Sequence, residues 1–249
     1  MSKYFLELSY MGTNHSGFQI QPNMPTIQGE VERVMETLLR IHIPLTTSSR
    51  TDAGVHAHQN FFHFETDLAI SHKMIYNLNA MLPRDISITN IYKMPDSAHA
   101  RFDAVARRYR YYIYGYKNPF IADRGWYYPF KKDLILLNKA ADLLMEYEDF
   151  TSFSKRNTDV KTFICHIQHA SWVMESDCLV FTVESNRFLR GMVRALVATM
   201  LKVGRGTISL DDMRGIIESR NCANADFSAP AKGLFLEEVR YPYKLTGVE

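Results

Sequence analysis

The stretch RTDAGVHA at residues 50–57 places one carboxylate, that of Asp52, between an arginine and a glycine turn. A polar segment precedes Asp52 and a strand-like run, residues 59–66, follows it, so we expect Asp52 at a loop-to-strand junction, where functional side chains concentrate. Arg50, two residues earlier, favours the ionised form of this carboxylate. The combination suits a nucleophile better than a buried acid that must stay protonated.

Two histidines, one inside this stretch and one just after it, suggest a second kind of chemistry. His56 and His58 are two residues apart and share one face of the predicted strand, where together with Asp52 or His63 they could form a metal site. Metal sites usually need a third or fourth well-spaced ligand. The alternative is that the histidines line or buttress the Asp52 loop, and we expect no metal.

A predicted strand over residues 105–116 alternates arginine with tyrosine. Tyrosine rings can stack on bases while arginine pairs with phosphate, which is typical of a nucleic-acid groove. The alternative is a tyrosine-rich core strand with solvated arginines. Because side chains alternate along a strand, the residues divide between two faces. One face carries Arg107, Tyr109, Tyr111 and Ile113, and the other carries Arg108, Arg110, Tyr112 and Tyr114.

A second basic element is a helix predicted over residues 187–204. Arg187, Arg190 and Arg194 recur at i, i+3 and i+7, opposite an apolar stripe. The alternative is an ordinary solvent-facing row. No acidic residue balances these arginines, which favours RNA phosphate or a carboxylate as their partner.

The small net charge of +2 conceals two basic segments. Residues 101–132 carry eight Lys or Arg against two Asp, a local charge of +6, and residues 187–205 carry +5 with no acid. The remainder of the chain is therefore at −9. Positive charge concentrated in this way is what a surface for a polyanion requires.

Composition restricts the class of protein. With 249 residues, 46% of them hydrophobic, the chain can bury a core in one large or two small domains. It has no apolar run near the roughly eighteen residues that span a bilayer, and it enters a strand pattern instead of a signal peptide, so we expect a soluble, cytoplasmic protein. Three cysteines without a Cys-x-x-Cys pair favour neither a disulfide framework nor a zinc knuckle. No phosphate-binding glycine motif is present, which argues against nucleotide hydrolysis.

The elements that must position these residues follow from hydrophobic periodicity. Residues 4–10 alternate as in a half-buried strand, and Thr26 is placed to cap a helix that Pro44 closes. The first half reads β-α-β-α-β. The second half interleaves strands and helices in a similar order, and its last strand covers residues 234–241.

This repeated order predicts an α+β fold of two related lobes. The N-terminal lobe, residues 1–104, carries the Asp52 loop. The C-terminal lobe, residues 105–249, carries the tyrosines and arginines. The sheets of the two lobes could join across a cleft.

Together with residues 50–57, several further motifs resemble the TruA family of tRNA pseudouridine synthases. They run almost from end to end of the chain. They are GFQxQ from Gly17, TIQ from Thr26, HARF from His99, RRYRY from Arg107, DFTSF from Asp149, MVR from Met192 and GL from Gly233. Several matches in the same order over both halves are very specific.

The resemblance implies two lobes that share a mixed, mostly antiparallel sheet, with helices on one face and a basic cleft between the lobes. It also implies tRNA as the partner, a homodimer, and no metal or organic cofactor. The reaction would convert uridine to pseudouridine in the anticodon stem-loop, at tRNA positions 38–40, with the target base flipped out of its stack.

The motif matches also imply a role for individual residues. Asp52 would be the catalytic nucleophile, and Tyr109 would stack on the target base and could help proton movement at C5. Arg194 would pair with Asp52, Arg50 would fill the stack after the uridine leaves it, and Leu234 would pack beside the base. The arginines expected to bind RNA are Arg107, Arg108, Arg110, Arg187 and Arg190.

Two positions depart from the family pattern. Ser49 precedes Arg50 where the family usually has glycine, and Met11 replaces the common aspartate of the first turn. Both changes alter loops around the expected cleft, so they bear on target choice more than on activity. The alternative function is therefore a catalytically silent or retargeted paralogue that acts as an RNA-binding protein.

Overall fold

The computed structural model describes residues 1–156 and 160–248. The chain forms two compact units. One contains Met1–Val105 together with the residues from Phe235 onward, and the other contains Ala106–Leu234. Whereas the two lobes predicted from the sequence are each continuous, the first unit combines both ends of the chain.

The first unit is built around a sheet. Its strands are β1 (Ser2–Tyr10), β2 (Thr46–Thr47), β3 (His56–Thr66), β4 (Ile86–Met94) and β9 (Leu234–Arg240). The strand order is β4-β1-β3-β9, and β2 is paired to β3. The pairs of β1 with β3 and β4, and of β2 with β3, are antiparallel, while β3 and β9 run parallel. The Asp52 loop leads directly into β3, which begins at His56.

The predicted alternation of β1 holds from Leu6 to Tyr10, but the first part of the strand is buried on both faces. Tyr4, Phe5 and Leu6 are successive residues, and each is buried. Aromatic rings within the same unit account for part of this burial, since Phe64 stacks on Tyr4 and Tyr241 packs on Phe5. The C-terminal ring of Tyr241 is far away in sequence, which is why alternation within β1 could not reveal it.

Two helices belong to the first unit, α1 (Ile27–Leu39) and α2 (Lys73–Met81). The α1 helix begins as predicted, because the hydroxyl of Thr26 accepts a hydrogen bond from the N–H of Gly29 at 3.2 Å. It ends earlier than the predicted stop at Pro44, since Arg40 adopts the left-handed conformation at φ 57°.

The second unit also combines strands and helices. Its strands are β5 (Ala106–Tyr114), β6 (Trp126–Tyr127), β7 (Ile167–Glu175) and β8 (Cys178–Ser185). Its helices are α3 (Leu134–Leu144), α4 (Met192–Gly204) and α5 (Leu210–Glu218). The order β5-β8-β7 is antiparallel throughout, and β6 runs parallel to β5.

The described part of the chain thus contains five α-helices and nine strands with mostly antiparallel pairing, which confirms the predicted α+β class. Within residues 1–156 and 160–248, every helix is too short or too polar to cross a bilayer.

The helix predicted from residue 187 begins five residues later, so the prediction of a three-arginine helical row was wrong. Gly191 is the N-cap and has a φ of 75°, a left-handed conformation that interrupts any helix arriving from Arg187. Arg190 lies in the turn before the cap, where its carbonyl accepts from the N–H of Lys155. Only Arg194 lies on α4, and nearly all of the residues around it on the helix are buried.

Candidate active site

The backbone of the Asp52 loop forms a hydrogen-bonded turn. The N–H of Val55 donates to the carbonyl of Asp52 at 3.1 Å, and Gly54 within the turn has a φ of 77°. Glycine adopts this conformation without the steric cost that a side chain would add. On the other side of Asp52, the carbonyl of Thr51 accepts from the N–H of Phe18 at 3.1 Å. Backbone bonds therefore fix the chain immediately before and after the candidate nucleophile.

Two glycines let a second segment of backbone approach this loop closely. A Cβ added to Gly12 would lie 2.0 Å from the carbonyl oxygen of Val55. A Cβ added to Gly17 would lie 3.3 Å from the carbonyl oxygen of Thr51, and Gly17 also has a φ of 103°. From the sequence, these glycines were not expected to form a phosphate loop, and Gly17 was noted as the start of the GFQxQ motif. The structure shows that they provide space for the Asp52 loop.

A buried chain of polar side chains holds the same loop from the sheet. The hydroxyls of Tyr10 and Thr51 are 2.7 Å apart, and the side-chain amide of Asn60 donates to the Tyr10 oxygen at 3.2 Å. The same amide donates to the carbonyl of Ser49 at 2.9 Å. All four residues are buried, so these bonds form in a medium where an unmade bond is costly. Nothing in the sequence pattern singled out Tyr10 or Asn60 as supports of the loop.

His56 buttresses the loop, as one of the two alternatives from the sequence proposed. Its Nδ1 accepts from the N–H of Gly12 at 3.0 Å, and its buried ring packs on Phe235 at 4.5 Å. His58 is instead exposed and pairs through Nδ1 with the carboxylate of Glu237 at 2.8 Å. Among the residues with described positions, no three His, Cys, Asp or Glu side chains are grouped as a metal ion would require.

Arg50 and Asp52 differ in what their side chains face. Arg50 is exposed and lines a pocket of about 240 Å³ in the first unit, whereas Asp52 is half-buried and is not among the residues that line it. Both side chains therefore project from one loop, whose backbone is fixed by hydrogen bonds at Ser49, Thr51 and Asp52.

In the second unit, Arg194 and Tyr111 both donate hydrogen bonds to the segment at residues 229–230. The Nε of Arg194 donates to the carbonyl of Ala229 at 2.6 Å, and the hydroxyl of Tyr111 donates to that of Pro230 at 2.7 Å. A Cβ on Gly233 would lie 2.7 Å from the Tyr111 ring, so glycine is required there. Burial raises the pKa of the Tyr111 hydroxyl, which keeps it a neutral donor.

The segment that these bonds hold leads directly to Leu234, which is buried. Tyr109 is half-buried on β5, and its ring meets Phe188 edge-on at 5.1 Å. Asp52 and Arg50 lie in the first unit, and Tyr109, Arg194 and Leu234 lie in the second. That the two groups act in one site stays a prediction.

The arginines of β5 have partners within the second unit. Arg108 pairs with Glu184, the residue directly opposite it on β8, at 2.8 Å. Arg110 pairs with Glu175 of β7. The Nη1 of buried Arg107 donates to a backbone carbonyl, that of residue 186, at 3.0 Å. The sequence could not reveal the carboxylates, because strand register decides which acid faces which arginine. The role of Arg107, Arg108, Arg110, Arg187 and Arg190 in RNA binding stays a prediction.

The sequence was also compared with known proteins. A model of the family described as tRNA pseudouridine synthase matches residues 140–242. The protein named tRNA pseudouridine synthase A from Parabacteroides distasonis is 45% identical over 251 residues and covers 100% of both chains. The protein of that name from Bacteroides fragilis is 46% identical over 249 residues, with 98% of each chain covered. The one from Staphylococcus aureus (strain MRSA252) is 37% identical, with 95% of this chain and 91% of its own covered.

These similarities extend over both units and confirm the resemblance carried by the motifs. The chain belongs to the TruA family of tRNA pseudouridine synthases.

Proposed function

We propose that this protein is a tRNA pseudouridine synthase that isomerises uridine in the anticodon stem-loop, at tRNA positions 38–40, with Asp52 as the nucleophile. Membership of the family supports an isomerase that acts on tRNA. The observation that supports Asp52 as the nucleophile is that hydrogen bonds fix the loop that carries it. Backbone bonds fix the chain on both sides of it, and the buried hydroxyl of Tyr10 holds its neighbour Thr51.

The chemistry needs a carboxylate held in this way. Breaking the bond between C1′ and N1 of uridine builds positive character on the ribose, and a carboxylate at C1′ can trap or stabilise it, as in glycoside cleavage. The released uracil must rotate so that its C5 bonds to C1′ while any ester bond between C1′ and Asp52 breaks. C5 then loses its proton, and N1 gains one. Because the uracil must not escape between these steps, the reaction needs a close, dry pocket. It also needs a carboxylate that is already positioned when the substrate arrives.

The remaining residues would act on the base and on its stack. Tyr109 stacks on the target base, Leu234 packs beside it, and Arg194 pairs with Asp52. Arg50 fills the space that the flipped uridine leaves, which offsets part of the few kcal/mol needed to unstack a nucleotide. The exposure of the Arg50 side chain supports this role, since a filling group must reach the RNA.

The wider assembly is part of the same proposal. The arginines at 107, 108, 110, 187 and 190 contact tRNA phosphates in a basic cleft between two lobes, and the protein acts in the cytoplasm as a homodimer. The concentration of positive charge in residues 101–132 and 187–205 supports a polyanionic substrate. Light scattering of the purified protein would test the dimer.

The decisive experiment uses tRNA transcripts labelled with tritium at C5 of uridine. The protein should release tritium, with pseudouridine appearing at one or more of positions 38–40, and Asp52→Ala should abolish release while retaining tRNA binding. Release that persists in Asp52→Ala would refute the nucleophile. Binding without release by the unaltered protein, on any transcript, would instead favour the silent paralogue, and product at other positions would favour the retargeted one.

A further inference from the structure

A turn outside the Asp52 loop presents an aromatic ring to solvent. The ring of Phe102 is 74% exposed, although it belongs to a large apolar side chain. One side of it is covered by the ring of His99, with centroids 4.2 Å apart, and the guanidinium carbon of Arg101 lies 5.7 Å from its centroid. An exposed phenylalanine flanked by a histidine and an arginine has the composition of a platform for base stacking.

The turn is held rigidly. The Nδ1 of His99 accepts from the N–H groups of Arg101 and Phe102, at 3.2 and 3.3 Å, and the His99 N–H donates to the carboxylate of Asp103 at 2.8 Å. The hydroxyl of Tyr243 donates to the same carboxylate at 3.0 Å. Because Nδ1 of His99 is an acceptor, the ring proton is on Nε2. Burial lowers the pKa of His99, which favours the same neutral form.

The exposed ring forms one wall of the pocket of about 240 Å³ that Arg50 also lines. This volume is below the roughly 300–1,000 Å³ of sites for drug-sized ligands, so it fits one nucleotide better than a larger molecule. The lining contains two arginines and no carboxylate. The lining residues are Gln19, Gln28, Leu45, Thr46, Thr47, Arg50, His99, Arg101 and Phe102.

We propose that this pocket holds one unpaired nucleotide of the tRNA, other than the target uridine, with its base stacked on Phe102 and its phosphate near Arg101. The inference rests on the proposed function. We place a nucleotide other than the target uridine there because, under the proposed function, the target must bring its C1′ to Asp52, and Asp52 is not one of the residues that line the pocket. Only a nucleotide outside a duplex can offer a free base face to the ring. The pocket therefore recognises the loop, not the stem, of the RNA.

The test compares tRNA affinity among full-length variants made in an Asp52→Ala background, so that turnover does not alter the RNA. Phe102→Ala should weaken binding by about 5- to 150-fold, the loss that removal of one base-stacking aromatic produces. Phe102→Leu keeps apolar contact with His99 without a stacking face and should also weaken binding. Phe102→Trp should bind within about twofold of its parent, since it retains a stacking face.

Tyr76→Ala is the matched control, because Tyr76 is a 78% exposed aromatic residue of the first unit that does not line the pocket. Its affinity should not change. Phe102→Leu affinity equal to that of the parent would overturn the pocket assignment, whatever the Ala variant does. Failure of the proposed function is seen separately, as absence of pseudouridine with native Asp52. If no pseudouridine forms but the Phe102 variants still bind tRNA more weakly than their parent, the nucleotide pocket is supported and the proposed reaction is refuted.

Discussion

The hydroxyl of Tyr10 is expected to hold the Asp52 loop in its active position. It lies between the Thr51 hydroxyl, at 2.7 Å, and the Asn60 amide, at 3.2 Å. Tyr10→Phe removes this one oxygen and changes little in shape. Both neighbours are buried, so each loses its partner in a place that offers no bulk water as a replacement.

The size of the effect follows from this geometry. A buried polar group left without its partner costs about 1–3 kcal/mol. At this chain length, about 2–4 °C of melting temperature corresponds to each kcal/mol, so we expect Tm to fall by roughly 2–12 °C. A displacement of about 1 Å at a reacting group can cost about 10²-fold in rate. Because Thr51 is bonded covalently to Asp52, we expect kcat at saturating tRNA to fall by about 10- to 100-fold.

The assay pairs thermal unfolding with single-turnover formation of pseudouridine. Tyr92→Phe is the control, because the Tyr92 hydroxyl donates to Glu7 at 2.5 Å within the same sheet but does not contact the loop. It should lower Tm while leaving kcat unchanged. If Tyr10→Phe keeps the parental kcat despite a lower Tm, the loop does not depend on this hydroxyl and the reasoning fails. Equal losses of kcat in both variants would likewise point to general destabilisation.

Two other predictions concern the first unit, one the packing at Gly12 and the other the pH dependence of stability at His63. Gly12→Ala would bring a Cβ to 2.0 Å from the Val55 carbonyl, so we expect a loss of about 1–3 kcal/mol in urea unfolding and little pseudouridine formation. Gly215→Ala is its control, since nothing lies within 4 Å of the added Cβ in that helix, and it should be neutral or stabilising. Burial lowers the pKa of His63 from 6.5 to about 4. Between pH 6.5 and about pH 4, His63 is therefore protonated in the unfolded chain but neutral in the folded protein. Stability should therefore fall as pH drops through this window, and His63→Asn should flatten the decline in denaturant midpoint; an unchanged slope would contradict this account.

Most of the fold could be predicted because its signals are local. The Thr26 cap of α1 needs only residues three apart, and the capping box that begins α5 at Ser209 is equally local. The α4 start was not predictable from spacing, since arginines at i, i+3 and i+7 give the same pattern whether or not Gly191 adopts a left-handed turn. The burial of Phe5 on the second face of β1 was missed because the ring that covers it, Tyr241, comes from the other end of the chain.

The candidate site divides in the same way. The Asp52 motif is a contiguous run and can be read from the sequence, as can its junction with β3. The partners that hold it are not contiguous with it, since Tyr10 lies on β1 and Asn60 inside β3. Likewise, the arginines of β5 were visible in the sequence, but strand register alone made Glu184 the partner of Arg108. The contacts that sequence patterns could not reveal here are those between residues far apart in the chain.

The two departures from the family pattern, at residues 49 and 11, leave the backbone hydrogen bonds of both positions in place. Ser49 supports the loop with its carbonyl, which accepts from the Asn60 amide at 2.9 Å, and a carbonyl is present whether residue 49 is serine or glycine. Met11 likewise uses its backbone, donating from its N–H to the carbonyl of Asp85 at 2.9 Å. Neither departure removes an atom that these hydrogen bonds require. The hydrogen bonds of residues 11 and 49 therefore give no reason for either departure to abolish the reaction, and tritium release by the unaltered protein separates an active enzyme from a silent paralogue.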